Sequence, residues 1–74
     1  ETAGYIRHRL KVAGIQRDVF TDEARSLIYN SSNGRPRQIN NICDMSLLVG
    51  YMRKLDWIDH PIIRDVVKDL GEEV

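Results

Sequence analysis

Seventy-four residues, 42% hydrophobic and 30% charged, are enough for one small globular domain, with a core only marginally sufficient unless a partner surface covers part of it. Eleven basic residues balance eleven acidic ones, which removes whole-molecule attraction to nucleic acid or anionic lipid and leaves only local anion sites. The composition argues against disorder, and no apolar run approaches the roughly 20 residues that a bilayer span needs.

Apolar residues recur at helical intervals in four segments separated by short polar breaks, and none alternates with period two, which predicts an all-α four-helix bundle. In the first segment Thr2 is the expected N-cap, Ile6, Leu10 and Ala13 form one stripe, and Gly14 stops the helix. Arg7, His8, Arg9 and Lys11 fall around the other side. The second segment opens on Thr21 as N-cap, with Asp22 and Glu23 in the first turn where carboxylates suit the helix dipole. Ala24, Leu27 and Ile28 are its buried stripe, with Phe20 just ahead. The run Asn30-Ser31-Ser32-Asn33-Gly34 reads as a breaker. Pro36 fits the first turn of a third helix expected to reach about Lys54. Ile39, Ile42, Cys43, Leu47 and Gly50, with Leu48, Val49 and Met52 beside them, give that helix an apolar face wide enough for the centre of the bundle. The last helix follows Asp59 as N-cap, carries Pro61 in its first turn, shows Ile63, Val66, Val67 and Leu70, and stops at Gly71. The domain is expected to span 1–70, with a frayed end at 71–74.

Single cysteine chemistry is limited: Cys43 has no internal disulfide partner, no Cys or His pair has metal-ligand spacing, and a reducing cytosol is the expected setting. The chain begins at Glu1 without a basic, apolar leader, so an excised domain lacking a targeting segment is expected. There is no phosphate-binding G-x-x-x-x-G-K-[ST] loop, no acidic cluster for magnesium and no nucleophile with a base, so the segment alone is expected not to be an enzyme. One place breaks the local rules. Arg35 and Arg37 flank Pro36 at the start of the third helix, where the dipole already concentrates positive charge and a cation costs a few tenths of a kcal/mol, up to about 1. A bound phosphate would compensate, since uncapped N–H groups, a glycine-containing entry and a guanidinium fork make an anion site. Equally, one arginine could pair with a carboxylate of a neighbouring helix while the other stays solvated.

The opening Glu1-Thr2-Ala3-Gly4-Tyr5-Ile6-Arg7-His8-Arg9-Leu10, followed by Ala13-Gly14, resembles the E-T-x-x-Y-I-x-H-R-L start of the C-terminal helical lid in AAA+ ATPases of the general secretion (ExeA-like) type, which have relatives among DNA-transposition ATPases. Gly34-Arg35-Pro36-Arg37 is similar to that family's G-x-P-R box, and Ile39-Asn40-Asn41-Ile42-Cys43-Asp44 to the I-N-N-x-C-D that follows. The resemblance runs from Glu1 to about Leu70; Asn33 departs from it where relatives often carry a second glycine, and an asparagine tolerates the same left-handed backbone. It implies that Arg37 is the sensor-2 arginine, reaching the γ-phosphate of ATP held with Mg2+ in a separate N-terminal nucleotide-binding domain. Gly34, Pro36 and Arg37 are then the nucleotide-binding residues, Arg37 the catalytic one, with no metal ligand in this chain. The parent protein is expected to hydrolyse ATP in the cytoplasm, with association at the inner membrane left open. It is expected to form homo-oligomers and to serve a secretion or DNA-associated assembly, with no membrane contact from this segment.

Arg7, Arg9 and Trp57 are interface candidates, although a solvated helix face also accounts for Arg9 and a bundle anchor for Trp57. His8 is expected at the surface and Cys43 as a small buried hydrophobe. One of Asn40 and Asn41 is expected to tie down the preceding loop and the other to face solvent. Two alternatives remain. One is a helix-turn-helix-like DNA-binding module reading bases through Arg37, Gln38, Asn40 and Asn41, disfavoured by zero net charge and by a breaker longer than the usual three- to four-residue turn. The other is a helical protein-interaction domain in which Arg37 is dispensable.

Overall fold

The computed structural model describes residues 2–71, with side chains described from Gly4 onward; the expected Thr2 cap lies outside the described side chains, and of the frayed end expected at 71–74 all but Gly71 lies outside the described residues. Four α-helices are present among the described residues: α1 (Thr2–Val12), α2 (Asp22–Ser32), α3 (Pro36–Met52) and α4 (His60–Leu70). α3 is the central one, packed against the other three, while α2 and α4 also pack on each other. No described helix is long and apolar enough to cross a membrane.

Local chemistry provides for the orphan backbone groups at the starts of α2 and α4 and at the ends of α1 and α3. Thr21 Oγ1 accepts from the Ala24 N–H at 3.1 Å at the start of α2, and Asp59 accepts from the His60 N–H at 2.7 Å at the start of α4. α1 closes through Ile15 N–H to the Leu10 carbonyl and Gly14 N–H to the Lys11 carbonyl, with Gly14 at φ +77°. This is the six-to-one and five-to-two pattern that a left-handed residue permits. α3 ends the same way through Leu55 to Gly50 and Lys54 to Tyr51. The left-handed residue there is Lys54, φ +56°, so α3 stops at Met52, short of the expected Lys54.

The core is built from Ile6, Leu10, Ala24, Ile28, Ile39, Ile42, Cys43, Ile63, Val66 and Val67 on the helices, joined by Val19, Phe20 and Ile58 from the two long connections. Those connections are stitched together: Ile58 donates to the Val19 carbonyl at 2.7 Å and accepts from the Thr21 N–H at 3.1 Å. The pairing satisfies backbone groups that burial would otherwise leave unpaired.

Four expectations are corrected. Ala13 is exposed, because the turn that closes α1 carries it past the Ile6 and Leu10 stripe. Asn30, Ser31 and Ser32 belong to α2, which continues through the polar run to a left-handed Asn33; the turn is only 33–35. Leu48 and Met52 are exposed, since they lie off the arc of α3 covered by its three neighbours, and the wide apolar face is partly open. Ser46 is buried on that helix instead. Trp57 is 56% exposed and anchors nothing in the core: its neighbour Ile58 takes the buried position, and Arg17 lies over the indole at 5.2 Å.

Candidate functional site

The site begins with the turn that aims the first residues of α3. Asn33 and Gly34 are consecutively left-handed, at φ +54° and +74°, which suits asparagine and glycine and reverses the chain within three residues. Buried Ser32 locks this reversal: its hydroxyl donates to the Tyr29 carbonyl and accepts from the Gly34 N–H, both at 3.2 Å. Ser32 therefore does what was expected of Asn40 or Asn41. Asn41 is exposed and Asn40 half-buried.

Arg35 is the N-cap of α3 in extended backbone, φ −77° and ψ 124°, and gives no side-chain cap. Pro36 has no N–H to satisfy, so the Arg37 and Gln38 N–H groups are the uncapped donors of the first turn. Ile39, fully buried one residue further on, fixes the helix against the core and leaves Arg35, Pro36 and Arg37 exposed together. Among the described residues neither Arg35 nor Arg37 forms an ion pair. The carboxylate compensation weighed for this helix start is not found among the described residues. What the turn presents is a positive helix end, two uncapped amides and two unneutralised guanidinium groups on a rigid base, an arrangement able to take a phosphate-sized anion.

The remaining candidate residues are on α1 and in the connection after α3. Arg9 forms a bidentate pair with Asp44, Nε to Oδ1 at 2.8 Å and Nη2 to Oδ2 at 2.7 Å, which clamps α1 to α3. Asp44 is seven residues beyond Arg37, about 10 Å along the helix axis. The hydrogen bond that Arg9 donates to Asp44 raises the Arg9 pKa further above its ordinary value. Arg9 is thus a half-buried internal strut rather than a solvated side chain, and nothing in the spacing of the sequence marked Asp44 as its partner. Arg7 is exposed on α1, His8 is exposed beside it, and Trp57 lies with Arg17 past the other end of α3. Cys43 is fully buried, and burial pushes its thiol up to about 12, so it packs as a small hydrophobe and is not a nucleophile. No group of three or more metal-ligating side chains occurs among the described residues.

In a comparison with curated proteins, the chain is 41% identical over 56 residues to general secretion pathway protein A of Aeromonas hydrophila. The match covers 76% of this chain and 10% of that protein, so the chain spans about a tenth of its relative's length. No family model matches the chain, and no solved structure matches it.

Proposed function

Taking as premise this relationship to a stretch of general secretion pathway protein A, we propose that the chain is the helical lid of a secretion-type AAA+ ATPase, with Arg37 as its sensor for the terminal phosphate of ATP. The observation that carries the reading is the turn itself: Gly34 and Asn33 reverse the chain, Pro36 starts α3, and Arg37 stands exposed at a positive helix end without a carboxylate partner among the described residues. An unpaired guanidinium at a positive helix end is free to meet a phosphate.

In this reading the nucleotide-binding domain lies outside these residues and holds ATP and Mg2+. Arg37 completes the site from the lid side, its guanidinium and the first amides of α3 meeting charge on the γ-phosphate. Hydrolysis and release remove that charge, the attraction is lost, and the angle between lid and nucleotide domain shifts. The rigid base under Arg37, made by Ser32 and Ile39, would transmit the motion to the whole bundle. The work done falls to a cytoplasmic, oligomeric secretion assembly.

The experiment is steady-state ATP hydrolysis by the parent protein, wild type against Arg37→Ala, with folding followed by circular dichroism. Turnover should fall by about two orders of magnitude with the fold intact, as for loss of one transition-state donor. Unchanged turnover in a folded variant would rule out the sensor role.

One structural fact also supports the DNA-binding alternative. The connection between α2 and α3 is three residues, 33–35, within the range of a helix-turn-helix, and Arg37 and Asn41 are exposed on α3. Binding that weakens steeply with salt and is lost in an Asn41→Ala variant would favour it over the lid reading.

A further inference from the structure

A second region concentrates positive charge that the bundle leaves unneutralised. α1 and the segment leading into α2 border a cleft of about 480 Å3, floored by Ile6, Leu10 and Ile15. Arg7, Lys11, Arg17 and Arg25 line it, with Asp18 the one carboxylate among the lining residues. Asp18 is engaged by Arg25, which also bridges to Asp22. Arg17 donates to the backbone carbonyls of Asp18 and Asp56 and lies over the Trp57 ring at 5.2 Å. These contacts orient its charge without cancelling it. Arg7 and Lys11, one helical turn apart on α1, form no ion pair among the described residues. Like charges at that spacing repel, and they face one concavity together with Arg17.

We propose that this cleft binds a small amphipathic anion, an organic phosphate whose charged end meets Arg7, Lys11 and Arg17 and whose apolar body rests on Ile6, Leu10 and Ile15. Its volume falls within the range of roughly 300–1,000 Å3 typical of small-molecule sites, more than a bare phosphate fills. An apolar floor beneath a cationic rim selects for both parts of such a ligand. A nucleic-acid strand is the poorer fit, because a chain with eleven cations and eleven acidic residues has no surplus charge for an extended backbone track. The proposal is independent of the nucleotide reading, since Arg37 is not among the lining residues.

Trp57 is the sole tryptophan and stacks with Arg17, so its fluorescence reports on the cleft. The chain is titrated with hexyl phosphate, inorganic phosphate and a single-stranded oligonucleotide, following Trp57 emission and heat. Hexyl phosphate should saturate at one equivalent and bind about tenfold tighter than inorganic phosphate. Arg7→Gln and Lys11→Gln should each weaken it by about fivefold or more. Arg64→Gln, an exposed cation on α4, should leave it unchanged, and the Trp57 response should survive Arg37→Gln. The proposal is overturned by any of four results: no saturation with hexyl phosphate, an equal loss in Arg64→Gln, a response that depends on Arg37 instead, or a response to the oligonucleotide alone.

Discussion

The Thr21 hydroxyl donates to the Asp59 carboxylate at 2.7 Å, so the residues that cap α2 and α4 are bonded to each other across 38 positions of sequence. Thr21 gives its lone pair to the Ala24 N–H and its proton to Asp59, while Asp59 also accepts from the His60 N–H. Two local caps thereby become one tertiary contact, at the place where the two long connections pair.

This junction makes stability sensitive to acid. The Thr21 hydroxyl first, and the His60 backbone N–H second, hold the Asp59 carboxyl below its ordinary range. A carboxylate whose native pKa is depressed contributes in full above the ordinary aspartate value, about 3.9, and loses that contribution as pH falls through the native value. Urea unfolding of wild type and Asp59→Asn should therefore differ near neutrality and converge in acid, as pH falls through the depressed native value. Thr21→Ala should cost about 1 kcal/mol, Thr21→Ser much less. A gap that persists unchanged into acid would show that Asp59 acts by shape and not by charge.

Gly50 brings α3 against the paired connections. A Cβ there would meet Ile58 Cδ1 at 3.0 Å and Cγ1 at 3.2 Å, and Ile58 is held by hydrogen bonds through both its N–H and its carbonyl. Alanine favours a helix by about 1 kcal/mol, yet crowding a packed core costs about 1–3 kcal/mol. Gly50→Ala should lower stability by about 1 kcal/mol net, and Ile58→Val in the same chain should restore part of it. A melting temperature that rises with Gly50→Ala would mean that Ile58 moves aside freely.

Ser46 is fully buried on α3 and its hydroxyl has no hydrogen-bond partner among the described residues. An unpaired buried hydroxyl carries a desolvation penalty that alanine does not. Ser46→Ala should raise the unfolding free energy by about 1 kcal/mol. If chemical denaturation shows a loss instead, the hydroxyl is bonded in solution, for example to the preceding turn of its own helix.

At Arg37 stability and function should separate. Replacing a cation by a carboxylate in the first turn of a helix favours the dipole, so Arg37→Glu should stabilise the chain by about 0.5 kcal/mol. The same change should abolish ATP turnover by the parent. A destabilised Arg37→Glu chain would reveal an intramolecular partner for the arginine and remove the reason to assign it to a phosphate.

How much of this was legible depended on whether the cause was local. The stripe Ile63, Val66, Val67 and the caps Thr21, Asp59, Gly14 and Gly71 follow from periodicity and backbone chemistry within a few residues, and the structure has them as read. The Gly34-Arg35-Pro36-Arg37 motif was equally visible, because glycine, proline and charge at a helix start have meanings that need no partner. Lys54 in the left-handed region was not, since its side chain gives no sign of that conformation and only the closing bonds of α3 impose it. The polar run before Asn33 misled for the opposite reason: its serines favour turns in isolation, but burial of Ser32 rewards one more turn of helix.

By itself, then, the sequence determined four helices, most of their caps and the positively charged start of α3, all consequences of interactions between residues a few positions apart. Tertiary structure alone decided that Arg9 would be clamped by Asp44, that Thr21 and Asp59 would cap as a pair, that Trp57 would stay outside while Ile58 went in, and that Arg7, Lys11 and Arg17 would face one cleft. Each of these joins residues on different elements, and such pairings are fixed by how the helices pack rather than by any residue's own preference.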